Sequence, residues 1–288
     1  MQDEIVFYYV VYNNDIYKTN QPFWNNLIIS LITLRNCYPE NKIVVITYEE
    51  KQIPDIIKLL SNKMNFSIVI NKPAHFYDDV IKINYRMLSR HVNCYNIAST
   101  KNEKIIYIDT DVFIMKPFTN FNWNKVGLLT DSLTQVNGGV VYMDSGSEAA
   151  KKFVNFIDSE LKDILANKYD RMEYIKKVYP LCGEHCGIQE ETMLRNFVSR
   201  DRNSFMEIFY NIGDKNNATV NYKKITETDI LKNLNNIHLM VDPPARLVEL
   251  VSSIEPFKKI IYDNPYINMF FAGLDKSIIK NNQLKFLR

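Results

Sequence analysis

Cysteine is sparse in this 288-residue chain. Its four residues, Cys37, Cys94, Cys182 and Cys186, are too few for the stapled framework of a small secreted domain. The segment "CGEHC" at 182–186 suggests a zinc corner through Cys182, His185 and Cys186. No second Cys/His pair at ligand spacing follows it, so loop thiols are the preferred reading. Glycine is scarce too, while Asn, Ile, Lys and Tyr are abundant, a bias of the kind AT-rich coding produces. Excess charge is missing: the net value is +2, with acids and bases interspersed, which advertises no basic face for nucleic acid. Long apolar runs are absent. The longest, "NLIISLITL" at 26–34, has the length of a core helix and not of a membrane span. The opening "MQDEIVF" is acidic and has no leader pattern, so a cytoplasmic protein is expected. Neither a repeat nor a low-complexity linker marks a domain boundary, and the length suits one large domain or a domain with a lobe.

What is present is a strict alternation of elements. "IVFYYVVY" (5–12), "KIVVIT" (42–47), "FSIVI" (66–70) and "KIIYI" (104–108) are apolar runs of the kind buried on both faces of a sheet. Between them, 22–37, 51–63 and 78–98 read as helices; Pro22 and Pro54 sit near the first two starts. The β-α-β-α-β-α-β order predicts a doubly wound, mostly parallel α/β sheet. Beyond Pro117 the pattern is mixed, with strands at 126–130, 139–144 and 236–241 and helices at 147–166 and 187–198. The stretch 203–236 is Asn-rich and poorly periodic.

Two carboxylates, Asp109 and Asp111, follow the fourth run directly, and "VFIM" follows them. Ligands of such sheets bind beyond the carboxyl ends of strands. Carboxylates at the rim of a core need neutralising, and a hard divalent cation prefers oxygen ligands. Strand alternation would turn both carboxylates to one side. An acidic turn at the sheet edge is the plain alternative.

"IIYIDTDVFI" resembles the Asp-x-Asp segment of GT-A glycosyltransferases, in particular the glycogenin and lipopolysaccharide galactosyltransferase group, family eight. Further segments are similar to that group in the same order: "YNNDIY", "NYRML", "VNGGVVYMD" and "NIHLMV". The resemblance implies a GT-A fold with a smaller mixed acceptor-side lobe, in a single domain spanning 1–288. Residues 1–112 would form the nucleotide-binding half and 113–288 the acceptor-side half and tail. It implies Mn2+ or Mg2+ held by Asp109, Asp111 and His238, and a UDP-sugar donor. Asn14, Asp15 and Tyr17 would hold the nucleoside, and Arg86, Asn137, Gly138 and Gly139 the diphosphate or sugar. Gln189, Glu190 and Arg246 would serve the reaction. A carbohydrate, glycoprotein or glycolipid acceptor, retention of configuration and a homodimer are compatible with it.

The chain departs from the family pattern in two places. Ile188 stands where the family has Asp before Gln189, with Glu184, Glu190 or Glu191 as substitutes. "HLMVDPPARL" offers Arg246 alone as the late cation, at shifted spacing. Taken without the resemblance, "YNNDIY" reads as a surface loop, Arg86 and Arg90 as an i,i+4 solvated helix face, the Gly pair as a bulge or hairpin and His238 as a core histidine. Two other functions stay open. One is a haloacid dehalogenase-like phosphohydrolase with Asp109 as nucleophile; the other is a non-catalytic nucleotide-sugar-binding domain.

Overall fold

Successive side chains of the first apolar run point to opposite faces, and both faces are covered. In β1 (Ile5–Val11), Phe7, Tyr9 and Val11 enter one core cluster, while Val6, Tyr8 and Val10 enter another. A strand buried on both sides carries no polar alternation, hence the unbroken run. β2 (Ile43–Thr47) and β4 (Lys104–Ile108) divide in the same way. The computed structural model describes residues 4–11, 21–50, 53–71, 82–132, 135–166, 186–209, 219–221 and 236–238.

The four amino-terminal strands, completed by β3 (Phe66–Ile70), pair in parallel in the order β3-β2-β1-β4. Helix α1 (Gln21–Cys37) and α2 (Asp55–Lys63) cover the first face with Trp24, Leu27, Leu31, Ile57 and Leu60. α3 (Lys82–Ser99), α4 (Glu148–Ala166) and α5 (Cys186–Arg200) cover the second with Cys94, Ala98, Phe153, Ile157, Leu194 and Phe197. The sheet continues through β7 (Gln135–Asp144) and β6 (Val126–Ser132) to β8 (Phe205–Phe209), giving seven strands ordered β3-β2-β1-β4-β7-β6-β8. β7 is antiparallel to both neighbours, and β8 is parallel to β6. One strand therefore runs against six, as a mostly parallel α/β sheet predicts.

β7 carries an irregularity. Leu128 pairs with Val141, but the next residue, Leu129, pairs with Asn137. The β6 register thus skips Gly138, Gly139 and Val140, while Val140 still pairs with Ile108 of β4. This bulge lets Val136 and Val141, five positions apart, enter the same core cluster.

A second sheet has the order β5-β10-β9, built from β5 (Val112–Ile114), β9 (Thr219–Asn221) and β10 (Asn236–His238). β5 pairs antiparallel with β10. Its other side meets hydroxyls of α1. Ser30 Oγ donates to the Val112 carbonyl at 2.5 Å, and the Ile114 N–H donates to Thr33 Oγ1 at 3.1 Å. Farther along α1, the Arg35 guanidinium donates to the carbonyls of Tyr38, Pro39, Asn41, Met64 and Asn65, at 2.5–3.1 Å. It ties the carboxyl ends of α1 and α2 to the entry of β2.

Three strands lie where the sequence predicted none. β5 falls in the apolar flank "VFIM". β8 and β9 fall in the Asn-rich stretch, where no periodicity announces them. β8 exists because β6 offers it a paired edge, a tertiary effect that outweighs local pattern. No helix among the described residues is long and apolar enough to cross a membrane.

Candidate functional site

Tyr107 faces the α3 side of the sheet, and Asp109, two residues on, follows it. Asp109 Oδ1 accepts from Arg90 Nη1 at 3.1 Å and from the Tyr107 hydroxyl. Arg90 Nη2 donates to Glu190 Oε2 at 2.7 Å, and Glu190 Oε1 lies 3.1 Å from His91 Nε2. The Arg90 guanidinium also covers the Tyr107 ring at 5.3 Å, and His91 meets that ring edge-on at 4.8 Å. Arg90, His91 and Glu190 are 3%, 1% and 5% exposed, so the helix face carrying Arg90 is not solvated. The Asp109 side chain keeps 18% exposure at the rim of this buried group.

The protonation states follow from the surroundings. Burial raises the Glu190 carboxyl, but Arg90 and the His91 hydrogen bond outweigh it and hold Glu190 below the usual carboxylate range. Burial lowers His91 more than Glu190 raises it, so the imidazole is neutral at pH 7 and donates from Nε2. Burial pushes the Tyr107 hydroxyl well above its ordinary range, leaving it a donor to Asp109. A buried pair of this kind costs about 3–5 kcal/mol when one partner is removed.

The chain turns directly after Asp109. The Val112 N–H donates to the Asp109 carbonyl at 3.1 Å, closing a turn over Thr110 and Asp111. Strand alternation therefore stops at Asp109 and does not decide the direction of Asp111, which is half-buried in the turn. β7 lies alongside, and the Asp109 N–H donates to the Gly139 carbonyl at 2.7 Å. Asn137 Oδ1 accepts from the Gly139 N–H at 2.6 Å. A Cβ on Gly138 would lie 2.6 Å from Glu190 Oε1, 2.9 Å from His91 Nε2 and 3.0 Å from Arg90 Nη2. The space that a side chain at position 138 would need is filled by these three side chains.

β10 brings His238 into the neighbourhood, since His238 pairs with Val112, the residue after Asp111. The side chain of His238 lies outside the described residues, as do those of Arg86 on α3 and Gln189 on α5. Asn14, Asp15, Tyr17, Cys182, Glu184, His185 and Arg246 lie outside them altogether. Among the described residues, no three His, Cys, Asp or Glu side chains form a metal-ready group. His91 has no place in the sequence reading, and Arg90 enters it only as part of a solvated helix face. A signal was present, because Arg90, Cys94 and Ala98 recur every four residues and all are buried. The phosphohydrolase alternative needs its acidic motif on the first strand, and the motif follows the fourth in chain order.

No family model matches the chain, and no curated protein matches it by sequence. Solved structures do. The chain is similar to mouse xyloside xylosyltransferase 1 with a TM-score of 0.51 and 11% identity, over 83% of this chain and 99% of that one. It is similar to the galactosyltransferase LgtC, solved with donor and acceptor sugar analogues, with a TM-score of 0.53 and 12% identity, over 93% and 100%. The glycosyltransferase GlyE of Streptococcus pneumoniae TIGR4 matches with a TM-score of 0.51 and 12% identity, over 96% of this chain and 64% of that one. The fold is of the GT-A type. At such identities the likeness is one of fold.

Proposed function

We propose that this chain is a glycosyltransferase that moves a sugar from a UDP-sugar to a carbohydrate, glycoprotein or glycolipid acceptor with the help of Mn2+ or Mg2+. The observation that carries this reading is the Asp109–Thr110–Asp111 turn at the carboxyl end of β4, with His238 in register one residue beyond it. Donors of this kind suit a hard cation that keeps open positions. Arg90 and Tyr107 engage Asp109 through Oδ1, so Asp109 would share itself between Arg90 and the cation. The cation would neutralise the diphosphate of the donor and polarise the leaving group.

The chain's own groups have separate tasks. Asn14, Asp15 and Tyr17 follow β1, which is parallel to β4 and ends at the same sheet edge. There they would bond and stack on the nucleoside. The bulge of β7 presents Asn137 and Gly139 beside Asp109, and Arg86 and Gln189 would complete the donor side. In the reaction the bond between the anomeric carbon and the diphosphate oxygen breaks, the acceptor oxygen takes its place, and UDP leaves. Arg246 would meet the departing charge. The fold likeness to glycosyltransferases supports this assignment.

The test is UDP release from a panel of UDP-sugars with and without Mn2+. Wild-type protein should release UDP slowly even without acceptor, and only with metal; Asp111→Ala should abolish this while remaining folded. Unchanged turnover in Asp111→Ala would refute the site. A binding module would release neither UDP nor phosphate, and a phosphohydrolase would release phosphate.

A further inference from the structure

We propose that Glu190 is a positioning residue for Asp109, acting through Arg90, and that its charge sets how strongly Asp109 holds a divalent cation, the second part resting on Asp109 being the metal ligand proposed above. Arg90 is a single positive charge between two carboxylates, 3.1 Å from Asp109 and 2.7 Å from Glu190. Arg90 and Glu190 are buried and Asp109 is nearly so, and in such surroundings charges act strongly on one another. While Glu190 is ionised, Arg90 divides its charge and Asp109 retains much of its own. With a neutral side chain at 190, the whole guanidinium charge turns to Asp109 and competes with any cation there.

The geometry follows the same path. Glu190 lies in the first turns of α5, Arg90 and His91 lie on α3, Asp109 ends β4, and Gly138 leaves the room on β7. Four elements thus converge on one carboxylate. Both Glu190 oxygens are bonded within the protein, to Arg90 and to His91. That places Glu190 behind Asp109 and not in contact with a substrate, so its influence on the rim passes through Arg90.

The experiment has two arms. In the first, wild type, Glu190→Gln and Glu190→Asp are titrated with Mn2+, and the free ion is measured by electron paramagnetic resonance. Glu190→Gln should weaken binding about tenfold or more, as loss of a group that orients a ligand does. Glu190→Asp keeps the charge and should recover most of that loss. In the second arm, urea unfolding in EDTA is compared for Asp109→Asn, Glu190→Gln and the double variant. Each single variant removes one of these two carboxylates from Arg90 and the double removes both, so the double should lose more stability than the two singles added together. Strict additivity overturns the positioning role. Equal Mn2+ affinity in wild type and Glu190→Gln overturns the charge role. Should wild type fail to bind Mn2+, the metal reading of Asp109 falls together with the charge role, while the EDTA arm still decides positioning. If Glu190→Gln does not fold, Glu190→Ser, which also removes the charge and takes less room, replaces it in both arms, with the same outcomes expected and the same results overturning the proposal.

Discussion

Gly138→Ala adds one methyl group at the point where four elements meet. No glycine among the described residues has a positive φ, so backbone conformation is not what demands glycine here. The demand is space. The new Cβ would lie 2.6 Å from Glu190 Oε1, 2.9 Å from His91 Nε2 and 3.0 Å from Arg90 Nη2, all inside normal carbon contact distance. Overpacking alone costs about 1–3 kcal/mol. Lengthening a charged hydrogen bond in the group adds to this, since such bonds contribute about 1.5–3 kcal/mol each. A loss near 3 kcal/mol is expected, or a Tm lowered by about 6–12 °C at the usual 2–4 °C per kcal/mol for chains of this order. Urea unfolding followed by tryptophan fluorescence reads it directly. Gly146→Ala is the control, because its Cβ would stand 3.3 Å from Asp144 Oδ1 and 3.7 Å from Asn102 Oδ1, and a loss below about 1 kcal/mol is expected there. Gly138→Ala within about 0.5 kcal/mol of wild type, the range of ordinary surface changes, would show that the buried group does not depend on this space.

Further outcomes follow from the same contacts. Arg35→Ala strands carbonyls at the ends of α1 and α2 and should cost about 2–4 kcal/mol; Arg35→Lys should recover only part, because an ammonium has three donors and no planar fork. Folded His91 stays neutral below its ordinary value of 6.5, whereas the unfolded chain takes up a proton there. Its contribution is therefore complete above about pH 6.5 and is lost on acidification at about 1.4 kcal/mol per pH unit. His91→Gln, which keeps a donor toward Glu190, should flatten that part of the stability curve. Thr33→Val removes the acceptor of the Ile114 N–H and should cost about 1–3 kcal/mol in chemical denaturation, whereas an unchanged midpoint would show that β5 does not need α1.

The parallel half of the sheet was readable because burial on both faces writes itself as an uninterrupted apolar run, as in "IVFYYVV" and "KIIYI". The position of Asp109 followed from that, since the run stops where the core stops. β8 was not readable, because "FMEIF" owes its conformation to the edge of β6 and not to its own pattern. The Arg90 group was hidden for another reason. Spacing on a helix says which residues share a face and not which face packs. Glu190 stood out in the sequence only as a substitute for the acid missing at Ile188. Its bonds to Arg90 and His91 span 100 and 99 positions, and no local pattern encodes contacts of that range.

The bulge of β7 makes chain length a constraint in its own right. Three residues are skipped between the partners of Leu128 and Leu129, and an odd count inverts the inside-outside sense of everything amino-terminal to it. A one-residue slip after removal of Gly138 or Gly139 would turn Val136 to the opposite face and draw Gln135 into its place. Removing two would preserve the sense of the strand while erasing the rim beside Asp109. Single-residue and double-residue deletions at this point should therefore fail differently, the first as a folding defect and the second as a protein that folds without the shoulder beside Asp109.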